Sequence, residues 1–238
     1  NSTALFLVRA YNDFDHITPI IWKVISGDRF PAFVLFVGKQ FIDDYRVEFL
    51  KKSGIEEIRS ETISYYYGRV RPRLRSKIVQ RVIDKLVARY FGTKFMIEHR
   101  IGCVVTEWGG ADGKEMAPFF LRPARMMNIP TIAIPHGYHT WFNDDFNAVT
   151  VESLRNTGEL PQFPNRNEYS AYVVQSNNIK RYCIASGIRE ENILVLGSAR
   201  FCREWSDINY ALCTNQKTEK NDLKGNIVVF FLNHWTYN

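Results

Sequence analysis

The chain has 238 residues, of which 45% are apolar and 24% are charged, and its formal net charge is +6. This composition is typical of a globular protein and excludes a disordered or fibrous chain. The longest apolar runs, residues 4–8 and 227–232, are far below the roughly 18 residues that a membrane-spanning helix needs. With no charged-then-apolar leader at its start, the sequence predicts a protein of the cytoplasm.

The positive charge is concentrated in one window of the sequence. Residues 69–100 hold ten Lys or Arg against two carboxylates, Asp84 and Glu98, so this window carries a charge of +8 and the remainder of the chain carries −2. A general nucleic-acid-binding protein would spread its basic residues more widely. We therefore expect no nucleic acid among the partners.

Neither the cysteines nor the histidines follow the spacing of a disulfide or metal-binding motif. The four cysteines show no CxxC pair and are too sparse for a disulfide scaffold, so free thiols in a reducing compartment are expected. The five histidines form no HExxH motif, and His136 and His139 have no matching cysteine or carboxylate pair nearby. The sequence therefore predicts no metal ion.

Short runs of β-branched and aromatic residues alternate with longer stretches of helical period along the chain. In chain order, the predicted elements are a strand at 4–9, a helix at 15–26, a strand at 33–37, a helix at 43–53, a weak strand at 55–58, a helix at 74–91, strands at 103–107, 131–134 and 171–175, a helix at 178–186 and a strand at 192–196. Residues 60–72 look too irregular for an element, and Pro118 and Pro123 should break the helical stretch at 114–127. This alternation predicts an α/β fold built on a Rossmann-like, doubly wound parallel sheet.

The last part of the sequence points to a second domain. Residues 206–225 are polar and poor in bulky apolar side chains, and Gly225 bounds them, as expected of an interdomain linker. Residues 227–232 then begin a new apolar strand. We expect an N-terminal Rossmann-like domain at 1–205, a linker at 206–225, and at 226–238 the first strand of a truncated second α/β domain.

Ligands of an open parallel sheet bind outside the carboxyl ends of its strands, so the loops that follow the predicted strands are candidates for a binding site. Four such loops, at 10–13, 108–113, 135–139 and 197–201, are distinctive. Their substrate-binding candidates are Asn12, Asp13, Gly109, Gly110, Gly137, Ser198 and Arg200. Plainer roles stay open, because Asn12 and Asp13 would also cap the next helix, and the glycines lack GxGxxG spacing and would also form a simple turn.

Three segments carry a resemblance to a known family. Residues 128–137 combine a helix end with a strand that delivers the pair His136-Gly137, and residues 171–201 give a strand, a helix, a strand and a closing Gly-Ser-x-Arg-Phe sequence. Residues 226–235 are similar to the first strand and loop of a nucleotide-binding second domain. In this layout the chain resembles the nucleotide-sugar transferases of the GT-B fold, especially the CDP-glycerol glycerophosphotransferase-like and surface-carbohydrate enzymes of bacteria.

The resemblance implies transfer of a glycosyl or polyol-phosphate group in the synthesis of cell-surface polysaccharide or a polymer of the teichoic-acid type. The donor would be a nucleotide sugar or a CDP-polyol, which serves as substrate, and no further cofactor is implied. The first domain would bind the acceptor and the second would bind the donor, with Asn233 and His234 as donor-side contacts. Without the rest of that second domain, we expect the chain alone to be nearly inactive.

Two residues are candidates for the acid–base chemistry of such a transfer. The imidazole of His136 would take the proton of the attacking acceptor hydroxyl, and Gly137 would let the backbone approach an anion closely. Glu107, at the end of a predicted strand, is either an alternative base or the partner that orients His136. Structural roles stay open for both residues: His136 would pack against the strand end, and Glu107 would be a solvated or helix-capping carboxylate.

The predicted helix at 74–91 carries a basic stripe. Its main members, Lys77, Arg81, Lys85 and Arg89, recur every four residues, and apolar residues fill most of the other side. A lipid-linked acceptor would bring an anionic membrane surface to this stripe, and each basic residue would contribute roughly 1 kcal/mol. The alternative is an ordinary crossover helix that packs its apolar face on the sheet. Peripheral binding to the inner face of the cell membrane is therefore one expected location.

Two other functions remain open from the sequence. The first is a sugar-nucleotide epimerase of the same architecture, similar to UDP-GlcNAc 2-epimerase, although the basic helix argues mildly against it. The second is a non-catalytic module that anchors an envelope-synthesis complex to the membrane. Fold alone does not decide among the three, because doubly wound sheets host many functions.

Overall fold

The computed structural model describes residues 2–9, 13–27, 30–36, 44–108, 116–135 and 148–215. Its strands are β1 (Thr3–Val8), β2 (Ala32–Phe36), β3 (Glu56–Glu57), β4 (Ile101–Glu107), β5 (Thr131–Ile134), β6 (Ala171–Val174) and β7 (Ile193–Val195). Its α-helices are α1 (Asp13–Ser26), α2 (Tyr45–Lys52), α3 (Glu61–Tyr65), α4 (Lys77–Val87), α5 (Thr93–Glu98), α6 (Pro118–Met126), α7 (Ala148–Thr157), α8 (Asn177–Ala185) and α9 (Arg203–Asn215). None of the helices in these ranges is both long enough and apolar enough to cross a membrane.

The described strands form one parallel sheet in the order β3-β2-β1-β4-β5-β6-β7. In the middle of this sheet, Ala4 of β1 is paired with Ala32 of β2 on one side and with Cys103 of β4 on the other. The chain therefore winds outward in both directions from β1 and β4. The gap between these two strands is the topological switch point, where open α/β sheets bind their ligands.

Both faces of the sheet are covered by helices. Because the side chains of a strand point alternately to opposite faces, Leu5 and Leu7 of β1 enter one hydrophobic core, and Phe6 and Val8 enter the other. The first core is closed mainly by the segment from α3 to α6 and by α8, and the second is closed mainly by α1 and α2. The domain is a three-layer α/β/α structure, as predicted.

The helix α9 packs back onto the face that α1 and α2 cover. The hydroxyl of Tyr45 donates a hydrogen bond to Asn209 Oδ1 at 2.8 Å, and the buried ring of Trp205 lies 5.8 Å from the ring of Phe49. Residues 206–215, which the sequence suggests as the start of a linker, are thus part of a helix that follows the domain closely. The division into domains and linker stays a prediction.

The prediction that prolines break the helical stretch at 114–127 is wrong for Pro123, because α6 runs from Pro118 to Met126 without interruption, whereas at Pro118 the helix begins. Pro118 occupies the first turn, where a backbone N–H has no partner within the helix. Pro123 lies inside the helix and removes the hydrogen bond that would reach the Phe119 carbonyl. Gly92 packs against that carbonyl and against the Pro123 ring, so a neighbouring segment covers the carbonyl that lacks its helical hydrogen bond.

The prediction that residues 60–72 are irregular is also wrong. The segment consists of α3, a π-helical turn at Tyr66–Val70 and a 3-10 turn at Arg71–Arg73. Buried contacts of Tyr66 stabilise it: the ring packs edge-on against Phe119 at 5.7 Å, and the hydroxyl donates to Asp84 Oδ1 at 2.8 Å. Tertiary packing has therefore overridden the weak local preference of this segment.

Candidate active site

An ion pair between Arg9 and Glu107 lies at the switch point of the sheet. Arg9 follows the last residue of β1, Glu107 is the last residue of β4, and the guanidinium Nη2 contacts the carboxylate Oε1. The side chain of Glu107 is 3% exposed and that of Arg9 is 16% exposed. A buried pair of opposite charges thus lies at the point of the sheet where open α/β sheets bind their ligands.

A second carboxylate, Asp13, completes this cluster from the first turn of α1. Its Oδ2 accepts a hydrogen bond from the backbone N–H of Arg9 at 2.8 Å and lies 4.0 Å from the guanidinium Nε. Asp13 is fully buried. The positive end of the α1 dipole favours a negative charge at this position, which is why a buried aspartate is tolerated there.

The chain that follows β7 reaches the same turn of α1. Ser198 Oγ lies 3.4 Å from His16 Nδ1, and Arg200 Nη1 lies 3.4 Å from Asp15 Oδ2. His16 is buried, whereas Asp15 is one-third exposed. The first turn of α1 therefore joins the two halves of the site, one from β1 and β4 and one from the segment after β7.

Trp108 fixes the segment that leaves β4. The fully buried indole donates from Nε1 to the carbonyl of Val173 at 2.6 Å and stacks on Tyr172 with ring centroids 5.6 Å apart. The hydroxyl of Tyr169 donates to the backbone carbonyl of Glu107 at 3.3 Å. The backbone position of Glu107 is therefore held by β6 and by the residues just before it.

The structure brings together four of the residues that the sequence predicts for the site. Glu107 and Asp13 are both in contact with Arg9, and Ser198 and Arg200 both contact the first turn of α1. The other predicted residues lie outside the described part of the chain: Asn12, Gly109, Gly110, His136, Gly137, Asn233 and His234. The catalytic and binding roles of all these residues remain predictions.

Three charged or titratable residues of this region were missed by the sequence reasoning. Arg9 stands directly after an apolar strand, a position at which a single basic residue is easily taken for the start of a solvated loop. Asp15 and His16 look like residues of an ordinary helix cap. The signal that would have found them is their position after the first strand of a doubly wound sheet, next to the switch point.

A further charged cluster lies beside α1 and is structural in character. The guanidinium of Arg46 donates to Asp44 from Nε at 2.9 Å and from Nη2 at 2.6 Å, and its Nη1 contacts Asp15. It also lies over the ring of Phe14 at 5.3 Å. Burial acts to lower the pKa of Arg46, but the bonds and charges of Asp44 and Asp15 outweigh it and hold the pKa above its ordinary value.

The described residues show no arrangement for a metal ion. No group of three or more His, Cys, Asp or Glu side chains among them is placed to bind one. Cys103, Cys183 and Cys202 are free thiols, and burial raises the pKa of Cys103 to about 11 and that of Cys183 to about 12. Neither of these two buried thiols has the low pKa of a nucleophilic cysteine.

The basic stripe predicted on the helix at 74–91 is present on α4 and the turn that follows it. Lys77, Arg81, Lys85 and Arg89 are all exposed. The alternative, in which this helix packs its apolar face on the core of the domain, holds only in part: Ile83 and Val87 pack on the core, whereas most of the other apolar side chains of the helix are exposed.

No protein-family model matches the sequence, and no curated protein is significantly similar to it. Among solved structures, a UDP-GlcNAc 2-epimerase from Neisseria meningitidis bound to UDP-GlcNAc is similar, with a TM-score of 0.52 and 12% identity over 91% of this chain and 51% of that chain. A UDP-N-acetylglucosamine 2-epimerase from Rickettsia bellii gives a TM-score of 0.48 and 11% identity over 92% and 49% of the two chains. The lipopolysaccharide outer core galactosyltransferase WaaB gives 0.45 and 13% identity over 82% and 45%.

The likeness to the Neisseria meningitidis structure confirms the predicted fold, a Rossmann-like α/β domain of the GT-B type. The chain spans about half the length of the structures that it matches. At this low identity the comparison concerns the fold alone.

Proposed function

We propose that this domain is the acceptor-side half of an enzyme that uses a nucleotide-activated donor and transfers a glycosyl or polyol-phosphate group to an acceptor. The observation that carries the proposal is the Arg9–Glu107 ion pair, with Asp13 beside it, at the switch point of the sheet. Open α/β sheets bind ligands at this point. Charged side chains buried there are better explained by a polar ligand than by packing, because burial of charge is costly.

The contacts of Glu107 favour one of its two proposed roles. The carboxylate of Glu107 is already engaged by the guanidinium of Arg9, which favours a positioning role for it over that of the base. Glu107 therefore positions its neighbours, and His136 is the proposed general base. In the transfer, the acceptor oxygen forms a bond to the transferred group while the bond from that group to the nucleotide phosphate breaks. The nucleoside phosphate leaves with the electron pair, and the hydroxyl proton goes to His136.

The donor class is proposed from the fold. The similar Neisseria meningitidis structure holds UDP-GlcNAc, which makes a nucleotide sugar the first donor to test, with a CDP-polyol as the second. Asn233 and His234 are proposed to contact the donor from the side of the second domain. A lipid-linked acceptor in the synthesis of a cell-surface polymer would fit the proposed location at the cytoplasmic face of the membrane.

Calorimetry and a transfer assay on the complete protein test this function. UDP-GlcNAc or CDP-glycerol should bind, and the transferred group should appear on an added acceptor with release of the nucleotide. Conversion of the sugar to its epimer without an acceptor would establish the epimerase instead. Absence of both binding and turnover would favour the non-catalytic module.

The variant Glu107→Gln provides the site-specific test, with Glu159→Gln as its control because Glu159 lies exposed outside the sheet. Loss of the charge that holds Arg9 should lower kcat/KM by about tenfold or more, as for a residue that aligns the catalytic group. If the two variants were equally active, the residues at the switch point would not belong to the active site.

A further inference from the structure

The apolar face of α4 is turned to solvent. Ile78 is 74% exposed, Val82 53%, Leu86 60% and Tyr90, in the π-helical turn Ala88–Gly92 after α4, 69%. A helix on the surface of a globular domain normally buries such a stripe against the core. In α4 Val87 is buried and Ile83 packs against the core, so the stripe formed by the exposed apolar residues is the part of this helix that is left unpartnered.

Polar contacts, together with the packing of Ile83 and Val87 on the core, hold one side of α4 against the domain. Asp84 accepts hydrogen bonds from the hydroxyl of Tyr66 at 2.8 Å and from Nε of Arg71 at 3.1 Å. Gln80 donates from Nε2 to the carbonyl of Arg71 at 3.2 Å. These bonds hold the flank that carries Gln80 and Asp84 against the domain, so the helix is fixed with its apolar stripe outward.

The basic stripe runs along the exposed flank beside the apolar one. Each step of four residues rotates by about 40°, which carries the stripe from Lys77 to Arg89 across the solvent side of the helix. At its carboxyl end the stripe borders an open hollow of about 380 Å³, lined by Lys85, Arg89, Arg122, Arg125, Met126 and Glu168. Four cations thus face one hollow with a single carboxylate.

 Within the ranges that the structure describes, these four cations (Lys85, Arg89, Arg122 and Arg125) form no ion pair, so their charge is available to an anion from outside.

We propose that this surface, made of the apolar stripe Ile78, Val82, Leu86 and Tyr90 and the basic hollow beside it, docks the protein on a bilayer that contains anionic lipid. The apolar stripe would enter the boundary between headgroups and acyl chains, as amphipathic helices do when they lie in the plane of a membrane. The hollow would receive the phosphate of an anionic headgroup, to which lysine and arginine are attracted.

The charge of the surface argues for a bilayer over a second copy of the chain. A two-fold contact between copies places the same patch on both sides of the interface, so two basic stripes would lie close together. Like charges across an interface oppose association. A bilayer with anionic lipid offers both the apolar layer and the opposite charge that the surface requires.

Sedimentation of the full chain with vesicles tests the proposal, which is independent of the proposed enzymatic activity. The chain should sediment with vesicles of phosphatidylcholine and phosphatidylglycerol at low salt, and much less with phosphatidylcholine alone. Binding should weaken as salt rises, because the attraction acts over a Debye length of about 8–10 Å near physiological ionic strength.

Two triple variants separate the charged part of the surface from positive charge in general. Replacing Lys85, Arg89 and Arg125 with Gln should lower the partition coefficient on anionic vesicles by about tenfold to a hundredfold. Replacing the exposed residues Arg155, Arg181 and Arg203 with Gln removes the same charge elsewhere and should have a much smaller effect. Equal losses in the two variants would overturn the proposal.

The apolar stripe needs its own variant. Ile78→Gln, Val82→Gln and Leu86→Gln together should also weaken vesicle binding by about tenfold or more, whereas the same change at the exposed residues Ile184, Leu194 and Leu196 should not. Circular dichroism would verify that each variant is folded. If the stripe variant bound vesicles normally, or if it converted a dimer of the wild-type chain to a monomer, the bilayer would not be the partner of this face.

Discussion

Arg9 and Glu107 form an ion pair that joins the carboxyl ends of β1 and β4, the two strands between which the strand order of the sheet reverses. The two residues are almost a hundred positions apart in the chain, and each is held by its own strand. The pair therefore links the two halves of the domain at the base of the proposed binding crevice. Its loss should affect both the stability of the fold and the geometry of the site.

We expect Arg9→Met to lower the free energy of unfolding by about 3 kcal/mol, because it leaves the Glu107 carboxylate buried without its cation. Arg59→Met is the matched control, since Arg59 pairs with Glu57 at 3.1 Å but is 64% exposed, and should cost less than about 1 kcal/mol. Urea denaturation measures both. Similar losses of stability in the two variants would mean that the buried ion pair stabilises the fold no more than the exposed one does.

In the complete protein, His136→Ala should reduce turnover by roughly 10² to 10⁴, as expected for the loss of a general base, and should leave folding intact. Steady-state kinetics with the donor identified by calorimetry would measure it. Unchanged turnover would assign His136 a structural role and transfer the role of base to Glu107.

The close approach of two segments at Gly92 predicts a steric effect. A Cβ atom at this position would collide with the carbonyl oxygen of Phe119 and with the ring of Pro123, so Gly92→Ala should destabilise the domain by about 1–3 kcal/mol. Gly68→Ala is the control, because Gly68 also lies in a π-helical turn but has nothing within 4 Å of such an atom. Thermal unfolding of the two variants should separate them clearly, and equal melting temperatures would contradict the packing at Gly92.

The raised pKa values of two thiols predict their reactivity. Burial raises the pKa of Cys103 to about 11 and that of Cys183 to about 12, so both thiols stay protonated at neutral pH in the folded chain. A variant with Cys202→Ser and Cys213→Ser should therefore react with a maleimide only slowly until urea unfolds it, after which both remaining thiols should react. Rapid labelling of the folded variant at neutral pH would show that these thiols are accessible.

Raised thiol pKa values also give the direction of an effect of pH on stability. A thiol whose pKa is higher in the folded than in the unfolded chain contributes to the free energy of unfolding. This contribution is complete below the pKa of the unfolded chain, near 9 for a cysteine, and is lost as the pH rises towards 11 or 12. Unfolding measured across this alkaline range should accordingly become easier as the pH increases.

The strands were the most predictable part of the fold. Runs such as Leu5–Val8 in β1 are buried on both faces of the sheet, and this gives a continuous apolar signal that locates the strand to within a residue or two. The orientation of α4 was not predictable, because the sequence shows an apolar and a basic stripe but not the bonds of Asp84 to Tyr66 and Arg71 that decide which side faces the domain. The ion pair of Arg9 was not predictable for a similar reason, since its partner Glu107 is distant in the sequence.

The central position of β1 has a consequence for how the chain folds. This strand pairs with β2 through contacts that are close in sequence, but its other edge is filled only by β4, so one side of it stays open until residues 101–107 have been synthesised. Such long-range parallel pairing is slow, and an unpaired apolar strand edge invites association with other chains. Nascent chains that stop before β4 should therefore be the species most prone to aggregate and most in need of a chaperone.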